Sequence, residues 1–308
     1  MSLPLVILAA GLSTRYGSLK QLDPLGPGGE VIMDYNVYDA LRAGFSSVCF
    51  VVRREIEDAV RAHVASVFGE AVATDWVRQE TDRLPEGYRA PPERRKPWGT
   101  AHAVVLAAER IEGAFAVCNA DDLYGPAAFR ALHDYLVEAP AEEDGALVGY
   151  RLQDTLSGSG GVSRAICHVG RGSLLEQVIE IREIRRRDGL ITGIEGDATP
   201  VELAPDDLVS MNLWGLAPAL VRGMRHGFRR FLDVWGADTT QELYLSTAIN
   251  QRIQAGARVR VLHAGEAWFG LTHPEDRDHF RALLAERIAA GVYPERLAGA
   301  VRGSEGGS

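Results

Sequence analysis

The sequence predicts an α/β protein with a mostly parallel central sheet flanked by helices, and three observations predict it. The first is a continuous apolar run, Leu5 to Ala9, of the kind a strand buried on both faces produces. The second is the sequel to that run: Ala10, Gly11, Ser13 and Gly17, small residues that expose backbone N–H groups, with the cations Arg15 and Lys20 among them. The third is the alternation of strand-like and helix-like stretches as far as Val77, which sets parallel strands side by side under helices on both faces. Ligands of such sheets sit at the carboxyl ends of the strands, and that is where the small residues and cations fall. N–H groups in a concavity beside a planar Arg fork suit a polyphosphate. The other reading of the same residues is an ordinary strand-to-loop turn with solvated charges. The pattern is neither a P-loop nor a dinucleotide-binding glycine motif.

Composition narrows the partners. A chain of 308 residues can bury a substantial core, as one large α/β domain or two smaller ones. Its 46% apolar and 24% charged residues are ordinary for a soluble globular protein. A net charge of −9 argues against broad binding of nucleic acid or anionic membranes, so a nucleotide would need locally gathered cations or a metal. Cys49, Cys118 and Cys167 are odd in number, widely spaced and set among apolar residues, as reduced core thiols of a cytosolic protein would be. The apolar start is short and lacks a basic flank, and no apolar run approaches the ~20 residues of a membrane span, so the expectation is a cytoplasmic protein without a membrane segment.

In order along the chain, Asp23 to Gly29 is a Pro/Gly loop, and Asp34 is expected to N-cap a helix through Val37, Tyr38 and Leu41 that Gly44 stops. Ser47 to Val52 is the next strand, Ile56 to Phe68 a helix, and Val72 to Val77 a further strand. Between Gln79 and Gly99 lies a polar segment carrying Arg94, Arg95 and Lys96. It reads as an exposed loop with solvated charges; the alternative is a flap whose cations approach phosphates. Gly99 permits close backbone approach, Thr100 can cap a helix from Ala101 to Arg110, and His102 reads as a structural residue of that helix. A strand from Ala114 to Cys118 then ends in Asn119-Ala120-Asp121-Asp122-Leu123-Tyr124-Gly125, and paired carboxylates at a strand end suit Mg²⁺ together with substrate phosphates.

The second half is less regular. Strands are expected at Gly145 to Leu152, Val162 to Val169, Leu175 to Ile184, Val209 to Gly215 and Arg258 to Leu262, with a Ser/Gly-rich loop from Asp154 to Gly161. Helices are expected at Ala217 to Phe231, Thr240 to Ala255 and from the Pro274-Glu275-Asp276 turn to Ala290, before Gly291. Glu242 would then sit at a helix start and serve the helix dipole. Residues 299–308 read as a disordered tail.

Several of these segments together resemble one family. LAAGLSTRYGSLKQL, from Leu8 to Leu22, resembles the L-A-A-G-x-x-x-R signature, with a following Lys, of the sugar-phosphate nucleotidyltransferases, the nucleotide-diphospho-sugar pyrophosphorylases among them. The resemblance implies that the backbone of Leu8, Ala9, Ala10, Gly11 and Leu12 holds the nucleotide, that Arg15 binds the triphosphate, and that Lys20 neutralises charge as pyrophosphate leaves. The short spacing to Lys20 is closer to the cofactor cytidylyltransferase branch. Trp98-Gly99-Thr100-Ala101-His102-Ala103 resembles the L-G-T-x-H-A segment of uridylyl-transferring relatives, which implies base contacts from Gly99 and Thr100, with Gln79 a candidate for the base edge. Asp121 matches the Asp that ligates Mg²⁺, and Asp122 is a second candidate, through a water or a sugar hydroxyl. Gly161, Glu180 and Asn212 match sugar-contacting positions, and Tyr124 joins them as a substrate-binding candidate. Two departures stand out. Ile181 follows Glu180 where relatives often have Lys, with Arg182 a possible substitute, and Gly270 and Thr272 stand where relatives carry a second Mg²⁺ ligand, Asp276 being within reach.

What the resemblance implies is a nucleotide-diphospho-sugar transferase fold, GT-A-like and Rossmann-like, over residues 1–298, with the nucleotide bound by about 1–140 and the acceptor by about 141–298. The implied partners are an NTP and a sugar 1-phosphate or other small phosphate monoester, with Mg²⁺ as cofactor, no nucleic acid and no membrane; a homo-oligomer is left open. A phosphate oxygen already makes a competent nucleophile, so catalysis would consist of in-line positioning and charge stabilisation by Arg15, Lys20 and Mg²⁺ on Asp121. The base and the acceptor stay open, phosphocholine with a cytidylyl donor included. A glycosyltransferase on a related fold and a non-catalytic nucleotide or sugar sensor are the other classes.

Overall fold

The strand that opens the chain divides its side chains between two cores. In the computed structural model, which describes residues 2–11, 20–140, 142–157, 160–263, 265–271 and 276–301, β1 (Pro4–Leu8) is buried along its whole length. It is followed by α1 (Ile32–Ala43), β2 (Ser47–Val52), α2 (Arg54–Phe68), β3 (Thr74–Arg78), α3 (Thr100–Ala107), β4 (Phe115–Asn119), β5 (Asp122–Leu123) and α4 (Pro126–Glu138). Then come β6 (Gly145–Arg151), β7 (Val162–Val169), β8 (Leu175–Arg187), β9 (Leu190–Glu195), β10 (Thr199–Leu203) and β11 (Leu208–Leu216). The chain continues through α5 (Pro218–Trp235), α6 (Leu245–Gln254), β12 (Val259–His263), β13 (Phe269–Gly270) and α7 (Asp276–Ala289). Leu5 and Ile7 of β1 pack with Val37 of α1, Val60 of α2 and Phe129 of α4; Val6 and Leu8 pack with Val104 of α3, Phe228 of α5 and Ile249 of α6. That two-sided burial is the physical reason for an unbroken apolar run in β1.

The central strands lie in the order β3-β2-β1-β4-β11-β6-β12, all parallel except β11. One edge of β11 pairs with β6 on both sides of an interruption, at Leu208–Ser210 and Trp214–Leu216, while the other pairs with β7 at Leu208–Ser210 and with β4 at Trp214–Leu216. Met211 to Leu213 bridge the change of partner, with a bulge and a left-handed Asn212 at φ 62. The sheet forks here. Beyond the fork, β7 to β10 form an antiparallel wing. The small β5–β13 pair and α7 close one side, with Phe280 and Leu284 packed on Tyr35 and Tyr38 of α1.

Gly44 ends α1 as expected, at φ 112, its N–H directed to the Ala40 and Leu41 carbonyls. Asp34 is not the N-cap of α1. It lies inside the first turn, where its carboxylate accepts the N–H of Val31, the true N-cap, at 2.8 Å. The helix expected from Thr240 begins only at Leu245, because the chain before it is held extended against another loop. Of the expected tail, residues 302–308 lie outside the described residues, whereas Ala300 and Val301 pack on the α7 cluster. Cys49, Cys118 and Cys167 are buried free thiols. Among the described residues no helix is long and apolar enough to cross a membrane.

Candidate functional site

A cavity of about 610 Å³ opens at the fork, beside the carboxyl ends of β1, β3 and β4. From β1 and its exit come Leu8, Ala10 and Gly11; Ala9 faces the opposite core, its N–H bonded to Val51 O, so it reaches the cavity with no side chain. Leu12 and Arg15 lie outside the described residues. Of Lys20 only the backbone is described, as the first residue of a short 3₁₀ turn, Lys20–Leu22.

The Gly99–Thr100 corner forms the next wall. The long segment after Gln79 loops out and returns, so that Gln79 Nε2 donates to Gly99 O at 2.9 Å, and Gln79, Gly99 and Thr100 line the cavity together. Gly99 has φ 99, and a Cβ there would overlap the Leu243 carbonyl, so both the conformation and the contact require glycine. Leu243 donates its N–H to Trp98 O and accepts from Ala101 N. Thr100 caps a different helix from the one expected: its Oγ1 accepts the N–H of Leu245, the first residue of α6, at 2.8 Å.

Of the cations of the 80–98 segment, Arg83, Arg89, Arg95 and Lys96 are exposed as expected, and Arg94 is not. Arg94 is 2% exposed; it donates to the carbonyls of Asp238, Pro97 and Gln241 at 2.7–2.8 Å and stacks over the Trp98 ring. Lys96 lines the cavity and pairs with Glu242 at 2.8 Å. Glu242 is therefore a cavity residue paired with a lysine, not a helix-start carboxylate. His102 is structural as expected. Its Nε2–H donates to Arg83 O at 2.8 Å, it stacks on Phe228, and burial brings its pKa down to about 4, so it is neutral at pH 7.

The third wall is the turn after β4. Asp121 and Asp122 both line the cavity, the first half-buried and the second buried. Asp122 Oδ2 accepts from Asn119 Nδ2 at 2.8 Å and from the Tyr124 hydroxyl at 3.3 Å, while Asn36 of α1 holds the Asp122 carbonyl at 2.7 Å. Tyr124 itself is fully buried, its hydroxyl donating to Met211 O at 2.7 Å, so the substrate contact expected of it is replaced by support of the turn from beneath. Gly270 lies against this turn: a Cβ there would come 2.6 Å from Asp122 Oδ1, which leaves no room for a metal-ligating side chain. Asp276 opens α7 as part of its first turn, and Thr272 lies outside the described residues.

The wing closes the fourth side. Glu180 of β8 lines the cavity, accepts weakly from Ser246 Oγ at 3.5 Å, and has its pKa raised by burial against the opposing pull of Ser246 and Arg164. Asn212 lines it at the β11 bulge, its Oδ1 near the Trp214 indole N–H at 3.4 Å. Gly161 falls outside the lining; a Cβ there would meet Arg185 and Glu183 at 2.8 Å, and Ser163 and Arg164 of β7 face the cavity instead. Arg182, the expected substitute cation, is exposed and bonds Gly196 O in the wing. Arg164 and Trp268 are among the cavity residues the motifs did not reveal, with Ser163, Tyr244 and Ser246, although a charge at Arg164, in phase with the apolar Val162 and Ile166, is a signal in itself.

Among the described lining residues two cations, Lys96 and Arg164, stand against four carboxylates, Asp121, Asp122, Glu180 and Glu242. No group of three or more metal-ligating side chains occurs among the described residues. One or two carboxylates in an acidic cavity nevertheless fit Mg²⁺, which completes its shell with water and substrate phosphates.

The fold is that of nucleotide-diphospho-sugar transferases. The chain is similar to the inositol-1-phosphate CTP transferase from T. maritima, at 13% identity and a TM-score of 0.61 over 93% of this chain and 96% of that one. It is similar to a UDP-glucose pyrophosphorylase complexed with UDP-glucose, at 14% identity and a TM-score of 0.62 over 93% and 100%. HddC from Yersinia pseudotuberculosis, complexed with GMP-PN, matches at 13% identity and a TM-score of 0.56 over 92% and 99%. No family model and no curated protein sequence matches the chain.

Proposed function

We propose that the chain is a nucleotidyltransferase that joins the NMP part of an NTP to a sugar 1-phosphate or similar phosphate monoester and releases pyrophosphate. One observation carries the reading. Leu8, Gly11, Gln79, Gly99, Thr100, Asp121, Glu180 and Asn212, singled out in separate stretches of sequence, line a single cavity. The names of two neighbours, a CTP transferase and a UDP-glucose pyrophosphorylase, support it.

In this reading the backbone around Gly11 and the Gln79–Gly99–Thr100 corner take the nucleotide, and the wing takes the acceptor. Asp121, with Asp122 beside it, would hold Mg²⁺, which when bound neutralises phosphate charge. Asn119, Tyr124 and Asn36 hold the Asp121–Asp122 turn rigid. Lys96, kept charged by its bond to Glu242, presents a cation to the cavity. The acceptor phosphate oxygen attacks the α-phosphorus and the bond to the β,γ-pyrophosphate breaks, so the protein's task is alignment and charge stabilisation. The test is pyrophosphate release with Mg²⁺, each common NTP and dNTP, and a panel of sugar 1-phosphates with phosphocholine. Release that requires one donor and one acceptor together supports the proposal; no release from folded protein that binds an NTP overturns it.

A further inference from the structure

We propose that Arg164 binds the phosphate of the acceptor. This rests on the nucleotidyl-transfer reading for its place in a reaction, though not for the anion site itself.

Arg164 is 9% exposed, yet it lines the cavity. Its hydrogen bonds go to neutral oxygens: Nε to Thr155 Oγ1 at 3.2 Å, Nη1 to Ser163 O at 2.8 Å and Nη2 to Thr155 O at 2.5 Å. A guanidinium has five N–H donors, so each terminal nitrogen keeps one N–H without a partner among the described residues. No carboxylate among the described residues forms an ion pair with it; Asp122 and Glu180 act on it only through space. A buried cation that meets no contacting carboxylate is costly to hold in an empty wall and is well matched to an incoming anion. The Trp268 ring, 5.0 Å from the guanidinium carbon, supports the fork from one side.

Position specifies the anion. Arg164 lines the same cavity as Asp121 and Asp122 and lies within the field of Asp122, and in the proposed reaction the attacking phosphate belongs beside the carboxylates that would hold Mg²⁺. Of the other cations considered among the described residues, Lys96 is paired with Glu242 and Arg182 turns into the wing. Two N–H groups on one planar fork suit the two oxygens of a phosphate monoester. On the far side, Glu180, with Ser246 at its carboxylate, and Asn212 offer hydrogen-bond partners for hydroxyls.

The test titrates inorganic phosphate and glucose 1-phosphate into wild type, Arg164→Lys and Arg164→Gln, with UTP and CTP titrated in parallel. Loss of the charged fork should weaken phosphate binding roughly tenfold to a hundredfold in Arg164→Gln, with a smaller loss in Arg164→Lys, which keeps charge without geometry. UTP and CTP affinities should stay within about twofold, since uniform weakening would signal only general distortion. Arginine side-chain NMR of the wild type gives a reading that needs no folded variant: phosphate should shift the Arg164 Nε–H signal. Unchanged phosphate affinity in the variants, equal loss of NTP affinity, or an unmoved Arg164 signal overturns the proposal. If pyrophosphate release is absent while phosphate binding still depends on Arg164, the transfer reading fails and the anion site stands.

Discussion

Two sides of the cavity, the donor wall and the acceptor wall of the proposed reaction, are built from different materials. On the side of β1, β3 and α3 backbone and small side chains line the cavity at Ala10, Gly11 and Gly99, and the long side chains beside them, Gln79 and Lys96, are tied to the Gly99 carbonyl and to Glu242. On the side of β7, β8 and β11 it is long polar side chains, at Arg164, Glu180 and Asn212, each acting through its own atoms. A wall made of backbone tolerates change poorly but indirectly, because a substitution must move the chain to be felt. A wall made of side chains can be edited one contact at a time. The proposed donor side should therefore respond to steric changes and the proposed acceptor side to chemical ones.

The largest expected effect lies at the turn both walls share. Asp121→Ala should lower kcat by ~10²–10³-fold, the range for losing one electrostatic contributor to a transition state, with little change in Tm. Near-normal turnover would remove Asp121 from the mechanism. Next is Gly99→Ala, whose Cβ overlaps the Leu243 carbonyl at a residue with φ 99. It should raise KM for the NTP more than for the acceptor, and strain of the order of 1–3 kcal/mol should appear in chemical denaturation. An equal effect on both substrates would show that the walls are not separable.

Arg94→Met asks whether the backbone wall depends on remote packing. Removing a buried cation that ties three carbonyls should cost about 3 kcal/mol or more in urea unfolding, with the NTP affinity falling alongside. A cost confined to a few tenths would mean the loop holds itself. The smallest functional effect is expected at Asp39, on α1 outside both walls, whose carboxyl is buried, accepts from Tyr293 at 2.8 Å and has its pKa pushed up to about 8 by burial. Its folded pKa exceeds its unfolded one, so its contribution to stability is complete below about pH 4 and is lost as pH rises towards about 8. Asp39→Asn should flatten that decline in Tm between those pH values and leave both KM values unchanged. A decline identical to wild type would place the titration elsewhere.

The same contrast governs what could be read in advance. β2 and β7 occupy the spans their apolar runs predict, and Gly44 ends α1 where expected, because burial and glycine conformation are local properties. Arg94 was hidden because a run of cations resembles a solvated face, and its carbonyl partners at Asp238 and Gln241 are far away in sequence. Tyr124 and Gly161 were displaced for a related reason: a motif position fixes a place along the strand, while the β11 fork, and the register shift of β7 against β8 between Val162 and Arg164, decide which residue turns to the cavity. Glu242 became a cavity residue because α6 starts at Leu245, capped by the distant Thr100.

Nucleotidyl transfer is tested by following the label rather than the rate. Once a donor and acceptor pair is found, the NTP is supplied with ³²P at the α position or at the γ position. Nucleotidyl transfer predicts that α label appears in a phosphatase-resistant conjugate of acceptor and NMP, that γ label appears in pyrophosphate, and that Asp121→Ala forms both ~10²–10³-fold more slowly. Label from the γ position in the acceptor, or in free orthophosphate without conjugate, would contradict nucleotidyl transfer.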